Sequence, residues 1–374
     1  MNVPSPKPRK ILGQIEAMRA VAVTGIFLFH LWSVLPQAGT QNPFGPVLGA
    51  ILSQGWMGVI LFNIVTGFVL TLPFAGPDAR PMPGYLAFLR RRFLRICPNY
   101  YIGLVFWTAI LLCIGGHGPG LAGSFLQHLF FVHTLNPSVF FDIVPAYWWM
   151  GLLAQFYLAY PLLWRLFTKL TPKTAATLLI ACSLVLWACL ELLTKLWPHS
   201  IFAMLDYLFY FNLPYRLTEF VLGMYLACLW QNFSARRAGS ASDLPRPLRP
   251  LRLTALVCLA ALIAWGLFFG IPQCTLLATH LYWLAVIVSL GLLMFLSPSF
   301  DRIGKWTPIA KLAALSYSIY LMHQPILGYA APIAARHLAP FPAFLFVTGV
   351  CGLVSILAAM ATDALVSRIN RLIG

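Results

Sequence analysis

The sequence predicts an all-α integral membrane protein, a bundle of about ten transmembrane helices with both termini cytoplasmic, and three observations predict it. Of 374 residues, 60% are hydrophobic and only 9% charged, a balance that excludes an ordinary soluble domain. Apolar runs of the roughly 20 residues needed to cross about 30 Å of hydrocarbon recur along the chain. Lys and Arg fall in short clusters between alternate runs, as topology signals do.

In chain order the runs cover residues 11–35, 47–75, 99–116, 144–167, 173–194, 213–232, 252–271, 276–298, 311–331 and 340–366. The first follows the basic stretch MNVPSPKPRK, but Glu16 and Arg19 interrupt it and no small-residue cleavage site ends it, which predicts a retained helix rather than a signal peptide. Two shorter apolar stretches, 120–135 and 201–212, are expected to lie on the membrane surface or re-enter it. With the N-terminus inside, the inner loops receive Lys7, Arg9 and Lys10, then Arg80, Arg90, Arg91, Arg92 and Arg95, then Arg165, Lys169 and Lys173. Arg236, Arg237, Arg246, Arg249 and Arg252 follow, then Arg302, Lys305 and Lys311, then Arg368 and Arg371. These are 21 of the 25 basic residues; only Lys195 and Arg336 fall outside, and Arg19 and Arg216 lie within helices. Promoting 120–135 to a crossing would invert everything after it and put the basic loops outside.

The Ser-, Pro-, Arg- and Gly-rich stretch SARRAGSASDLPRPLRP marks a cytoplasmic linker at about 233–251, dividing six crossings from four. The chain otherwise reads as a single membrane domain over 1–374, with no soluble domain appended at either end and no internal repeat of the kind that marks many transporters. The net charge of +16 is accounted for by the topology clusters, which sets nucleic acid aside. The eight cysteines sit mostly inside apolar runs without a CxxC pair, as small core residues do, and not as disulfides or metal ligands.

Groups that lipid disfavours are the functional candidates. From Arg19 to His30 the helix turns by a net of roughly 20° and rises roughly 16 Å, so both share one face. Glu16, three residues before Arg19, is within reach of an ion pair. In FLRRRFLRICPNYY, Arg92 and Arg95 are spaced to point the same way and grip phosphate. Arg216 and Glu219 form a second pair at i and i+3. LSYSIYLMHQPIL carries Ser316, Tyr317, Ser318, Tyr320 and His323. Each has a structural reading beside the functional one: helix-end or buried ion pairs, a lipid-headgroup anchor, histidines bonded to backbone.

Taken together, the motifs resemble the acyltransferase 3 family of membrane acyltransferases. IEAMRAVAVTGIFLFH is similar to the family's LDGLRAIAVxxVxxxH, GWMGVILFNIVTGF to GxxGVxxFFxxSGF, Arg92, Arg95 and Pro98 to RxxRxxP, and SYSIYLMH to SYSxYLxH. Departures are Glu16 for Asp, Asn63 for an aromatic, Thr66 for Ser, and AYWWMGLLAQFY, which puts Trp149 and Leu153 where WSLxxE has Ser and Glu.

The resemblance implies transfer of an acyl group, acetyl in many relatives, from cytoplasmic acyl-CoA to a hydroxyl of an extracytoplasmic carbohydrate or glycolipid. It also implies no metal cofactor and residence, among membrane lipids, in a bacterial inner membrane. On that footing Arg92 and Arg95 hold the coenzyme A phosphates, and Arg19 positions the donor or fixes Glu16. His30 serves as general base. Tyr320, Ser316, Asn63 and Thr66 are candidate donors to the oxyanion, and His323 orients the acceptor or supports the fold. Covalent and direct transfer stay open. So do a transporter or flippase for an anionic or lipid-linked solute, and an inactive relative, which Leu153 makes conceivable.

Overall fold

The computed structural model describes residues 12–37, 45–77, 79–115, 118, 120–235, 248–268, 270 and 275–373. All regular structure among them is helical. The helices are α1 (Gly13–Gln37), α2 (Gly45–Ser53), α3 (Gly58–Thr71), α4 (Tyr85–Ile114), α5 (Leu121–Leu129), α6 (Trp148–Lys169) and α7 (Pro172–Leu196). There follow α8 (Ile201–Phe211), α9 (Leu213–Ala235), α10 (Leu248–Phe268), α11 (Leu276–Phe295), α12 (Pro298–Lys305), α13 (Thr307–His337) and α14 (Pro340–Ile373). Short 3-10 turns occupy Gly55–Met57, His133–Leu135 and Pro145–Tyr147. Most of the expected linker, together with its Arg236, Arg237 and Arg246, and the N-terminal Lys7, Arg9 and Lys10, lies outside the described residues.

Among the described residues six helical spans are long and apolar enough to cross a membrane: Gly13–Leu35, Val47–Thr71, Tyr85–Ile114, Pro172–Leu196, Leu276–Phe295 and Phe341–Arg368. The chain is therefore a multi-pass integral membrane protein. The apolar part of α10, Pro250–Gly266, is shorter. The remaining expected crossings coincide with α6, α9 and α13, whose hydropathy is diluted by Gln155, by Arg216 and Glu219, and by His323 and Gln324. The outer surface agrees with immersion in lipid, for Leu178, Val185 and Leu192 of α7 and Leu345, Leu353 and Leu357 of α14 are exposed.

Packing centres on a few close pairs, α1 with α13, α3 with α9 and α13 with α14. Lipid supplies no hydrophobic push between helices, so small residues must let backbones approach. At the α3–α9 crossing a Cβ on Gly67 would run into the carbonyl oxygen of Phe220, and one on Gly223 into that of Ile64. The apolar run 47–75 divides into α2 and α3 at Gly55, which packs against the backbone of Gly25 in α1. Helix ends are satisfied locally: Thr171 caps α7 through Thr174 N at 3.1 Å, with Pro172 at the first position. The Glu191 carboxylate of α7 accepts from Leu276 N at 2.7 Å and Leu277 N at 3.2 Å, placing negative charge at the N-terminus of α11.

The two shorter apolar stretches form the short helices α5 and α8. Behind α5, His128 and His133 stack with ring centroids 3.9 Å apart and planes 8° from parallel. His128 Nδ1 donates to Ser124 O at 2.9 Å and His133 Nε2 to Tyr147 O at 3.0 Å, leaving His128 Nε2 and His133 Nδ1 buried with no hydrogen-bond partner among the described residues. Burial pushes His133 down to about 3, with the His128 imidazole adding to the effect, and lowers His128 as well.

Candidate active site

The polar stripe predicted on α1 faces α13 along its length. Near the start of α1, Arg19 Nη1 donates to Glu16 Oε2 at 3.3 Å and Nη2 to Ser316 Oγ at 3.2 Å. Three turns on, His30 Nδ1 lies 3.0 Å from His323 Nε2. Both contacts advance together along the two helices, so α1 and α13 run in the same direction.

Glu16 and Arg19 line a cavity of about 410 Å³ that also takes Arg92 and Arg95 from α4, Ser316 and Tyr320 from α13, and Thr66 from α3. The three arginines expected to serve the donor, Arg19, Arg92 and Arg95, thus reach one space. Arg92 stacks its guanidinium over Phe88, 5.4 Å from the ring centroid. Pro98 lies inside α4 and removes one ladder hydrogen bond just before Asn99. Asn99 Nδ2 donates to Ser318 Oγ at 2.8 Å and to Asp363 Oδ1 of α14, tying three helices at the cavity wall. Asp363 escaped the sequence reading, although a carboxylate in the apolar run 340–366 is the same signal that picked out Glu16.

A second cavity, of about 310 Å³, holds His30 with Phe29, Trp56, Trp148, Phe211 and Gln324. Tyr320 lines both cavities. His323 lies behind His30, 1% exposed, and lines neither, so its position does not offer direct contact with an acceptor. The Tyr320 hydroxyl is already bonded to Ala146 O, which it must leave in order to serve an oxyanion. Thr66 Oγ1 likewise donates to Phe62 O at 2.7 Å.

Asn63 lines neither cavity, and each end of its amide has a buried partner elsewhere. Its Oδ1 accepts from Trp149 Nε1 at 2.8 Å and its Nδ2 donates to Glu219. Glu219, 0% exposed, also accepts from Arg216 Nη1 at 3.0 Å, and His280 Nε2 lies 3.1 Å away. Two departures from the family pattern, Asn63 and Trp149, are therefore partners, joined to the buried ion pair. Leu153 adds an apolar side chain to the arginine-lined wall. The Arg216 guanidinium, 4.6 Å from the Tyr210 ring centroid, lines the histidine-lined cavity. Among the described residues, no group of three or more metal-ligating side chains forms.

A family model described as an acyltransferase domain matches residues 12–360. The chain is 23% identical over 352 residues to the peptidoglycan O-acetyltransferase OatA of Listeria monocytogenes, covering 87% of this chain and 51% of that protein. It is 24% identical over 340 residues to the O-acetyltransferase OatA of Staphylococcus aureus, covering 86% of this chain and 51% of that protein. The chain thus spans about half the length of these curated relatives. No solved structure matches it.

Proposed function

The chain belongs to the acyltransferase-domain family, and from that premise we propose that it O-acetylates a cell-envelope carbohydrate or glycolipid, using acyl-CoA drawn from the cytoplasm. The carrying observation is that two cavities, one lined by arginines and the other by a histidine, share the side chain of Tyr320. Acyl-CoA enters on the arginine side, where Arg92 and Arg95 hold its phosphates and Arg19, braced by Glu16, guides the thioester inward. The acceptor enters the other cavity, whose rings suit the apolar faces of a pyranose.

His30 Nε2 takes the hydroxyl proton as the oxygen attacks the thioester carbonyl. The oxyanion draws on donors at the shared wall, Tyr320 and Ser316 among them. As the C–S bond breaks, the proton passes from His30 to the departing sulfur, giving an ester and free thiol. Each atom is accounted for without an outside reactant.

Ten alternating crossings in an inner membrane, in one domain with a cytoplasmic linker, complete the proposal. Parity supports the count: the first and ninth crossings, α1 and α13, run the same way. The second and sixth do too, since Asn63 meets Glu219 and, further on, Leu72 O accepts from Gln231. The relatives' names supply acetyl as the group and peptidoglycan as the type of acceptor.

Purified protein in vesicles, given acetyl-labelled acetyl-CoA on the arginine side and envelope glycan on the other, should move label to the glycan. Label that stays on the donor, or crosses the membrane still attached to it, overturns the proposal in favour of an inactive relative or a transporter.

A further inference from the structure

The hydrogen bonds around the two facing histidines admit few placements of their protons. His323 Nδ1 sits 2.9 Å from Tyr320 O and 3.2 Å from Ile319 O. Carbonyl oxygens only accept, so this nitrogen carries hydrogen. With His323 neutral, its Nε2 is a lone pair, and it lies 3.0 Å from His30 Nδ1. The proton between them must then belong to His30. His30 Nδ1 also lies 3.0 Å from Ile26 O, which requires the same hydrogen. A protonated His323 would instead donate to His30 Nδ1 and leave that nitrogen's lone pair facing the Ile26 carbonyl. The neutral arrangement satisfies every short contact, and it leaves His30 Nε2 as the ring's lone pair, on a side chain that lines the cavity.

We infer that His323 is a positioning residue for the transfer step: it fixes His30 in the Nδ1–H form, with Nε2 free to take the acceptor's proton, and braces the imidazolium that results. The inference rests on His30 being the general base. When Nε2 gains a proton, none of the bonds on the Nδ1 side has to change, because His30 Nδ1 donates to His323 before and after. The brace is thus built before the charge appears. A carboxylate would accept that bond more strongly, but a resting negative charge at this depth is costly. A neutral imidazole, itself anchored by two backbone carbonyls, gives an acceptor with no resting charge. The rigidity of its helix is transmitted to the base through one hydrogen bond.

The test compares His323→Gln, whose Oε1 can still accept from His30, with His323→Leu, which cannot. In vesicle-reconstituted protein, His323→Leu should lose kcat by about 100-fold with KM for acetyl-CoA and acceptor within about threefold, while His323→Gln should recover at least about tenfold of that loss. Nitrogen-15 NMR of histidine-labelled protein, with His30→Asn used to assign the resonance, should show His30 with Nδ1 protonated and Nε2 bare. Unchanged turnover in His323→Leu, a Gln variant no better than Leu when both unfold at the wild-type temperature, or His30 protonated on Nε2 overturns the inference. The NMR experiment needs no turnover. A failure of the general-base reading, seen as full activity in His30→Ala, is therefore distinguishable from a failure of this one.

Discussion

Among the described residues two pairs of histidines lie in contact, and they are put together in opposite ways. His30 and His323 meet edge to edge, nitrogen to nitrogen at 3.0 Å, and one of them opens into a cavity. His128 and His133 lie face to face at 3.9 Å, each bonded outward to backbone and both sealed from solvent. The first geometry passes polarity along a line of donors and acceptors and ends on an unspent lone pair. The second has no such line, and two of its nitrogens are buried with no partner among the described residues. Histidine content alone does not mark chemistry; orientation of the ring nitrogens does.

The largest effect that could break this contrast is on turnover. His30→Ala should reduce acyl transfer by at least about 1,000-fold while leaving insertion and thermal unfolding nearly as in wild type. Acetyl-CoA turnover by purified protein checks it; activity above about a tenth of wild type erases the distinction. His133→Ala should do the reverse, costing about 2–3 kcal/mol of stability through the cavity left under Tyr147, with kcat per folded molecule within about threefold. Chemical or thermal unfolding, read beside turnover, decides that.

A third test separates the arginines of α4 from both histidine pairs. Arg92→Ala together with Arg95→Ala should raise KM for acetyl-CoA by about 10- to 100-fold and leave acceptor KM alone. Unchanged coenzyme A affinity by isothermal titration would return these arginines to a role at the lipid headgroups.

The smallest effect concerns pH. His133 binds a proton less readily folded, near 3, than unfolded, near the usual 6.5. Its contribution to stability is therefore whole above about 6.5 and is lost progressively as pH falls toward 3. Hydrogen exchange over residues 121–147 should accelerate across that window, more than over α1, and His128→Phe should blunt it while leaving transfer within about twofold. Equal acceleration in both regions would mean that the two pairs titrate alike.

Much of this was legible beforehand, for a reason particular to membranes. Ionisable groups in lipid are so costly that Arg19, Glu16, His30 and the Arg92–Arg95 pair announce themselves against an apolar background. Their shared direction followed from helical periodicity, and the contacts with Ser316 and His323 bear the geometry out. What sequence did not carry is pairing across distance. Nothing local says that His323 lies against His30, 293 positions earlier, or that Asn63 and Trp149 bond to one another. The division at Gly55 had only the short local signal of Ser53, Gln54 and Gly55, and the backbone it packs against sits on another helix, at Gly25. Asp363 could have been found, since it breaks the apolar pattern as plainly as Glu16 does.

Tyr320 carries one last consequence. A membrane enzyme that lets a group cross must still hold back ions and water, and here one phenol ring, pinned by Ala146, belongs to the walls of both compartments. If the proposed function holds, insulation and chemistry meet in a single side chain. On the proposed function, any rearrangement that admits an acyl carbonyl past it must close behind the cargo, or ions follow with each transfer.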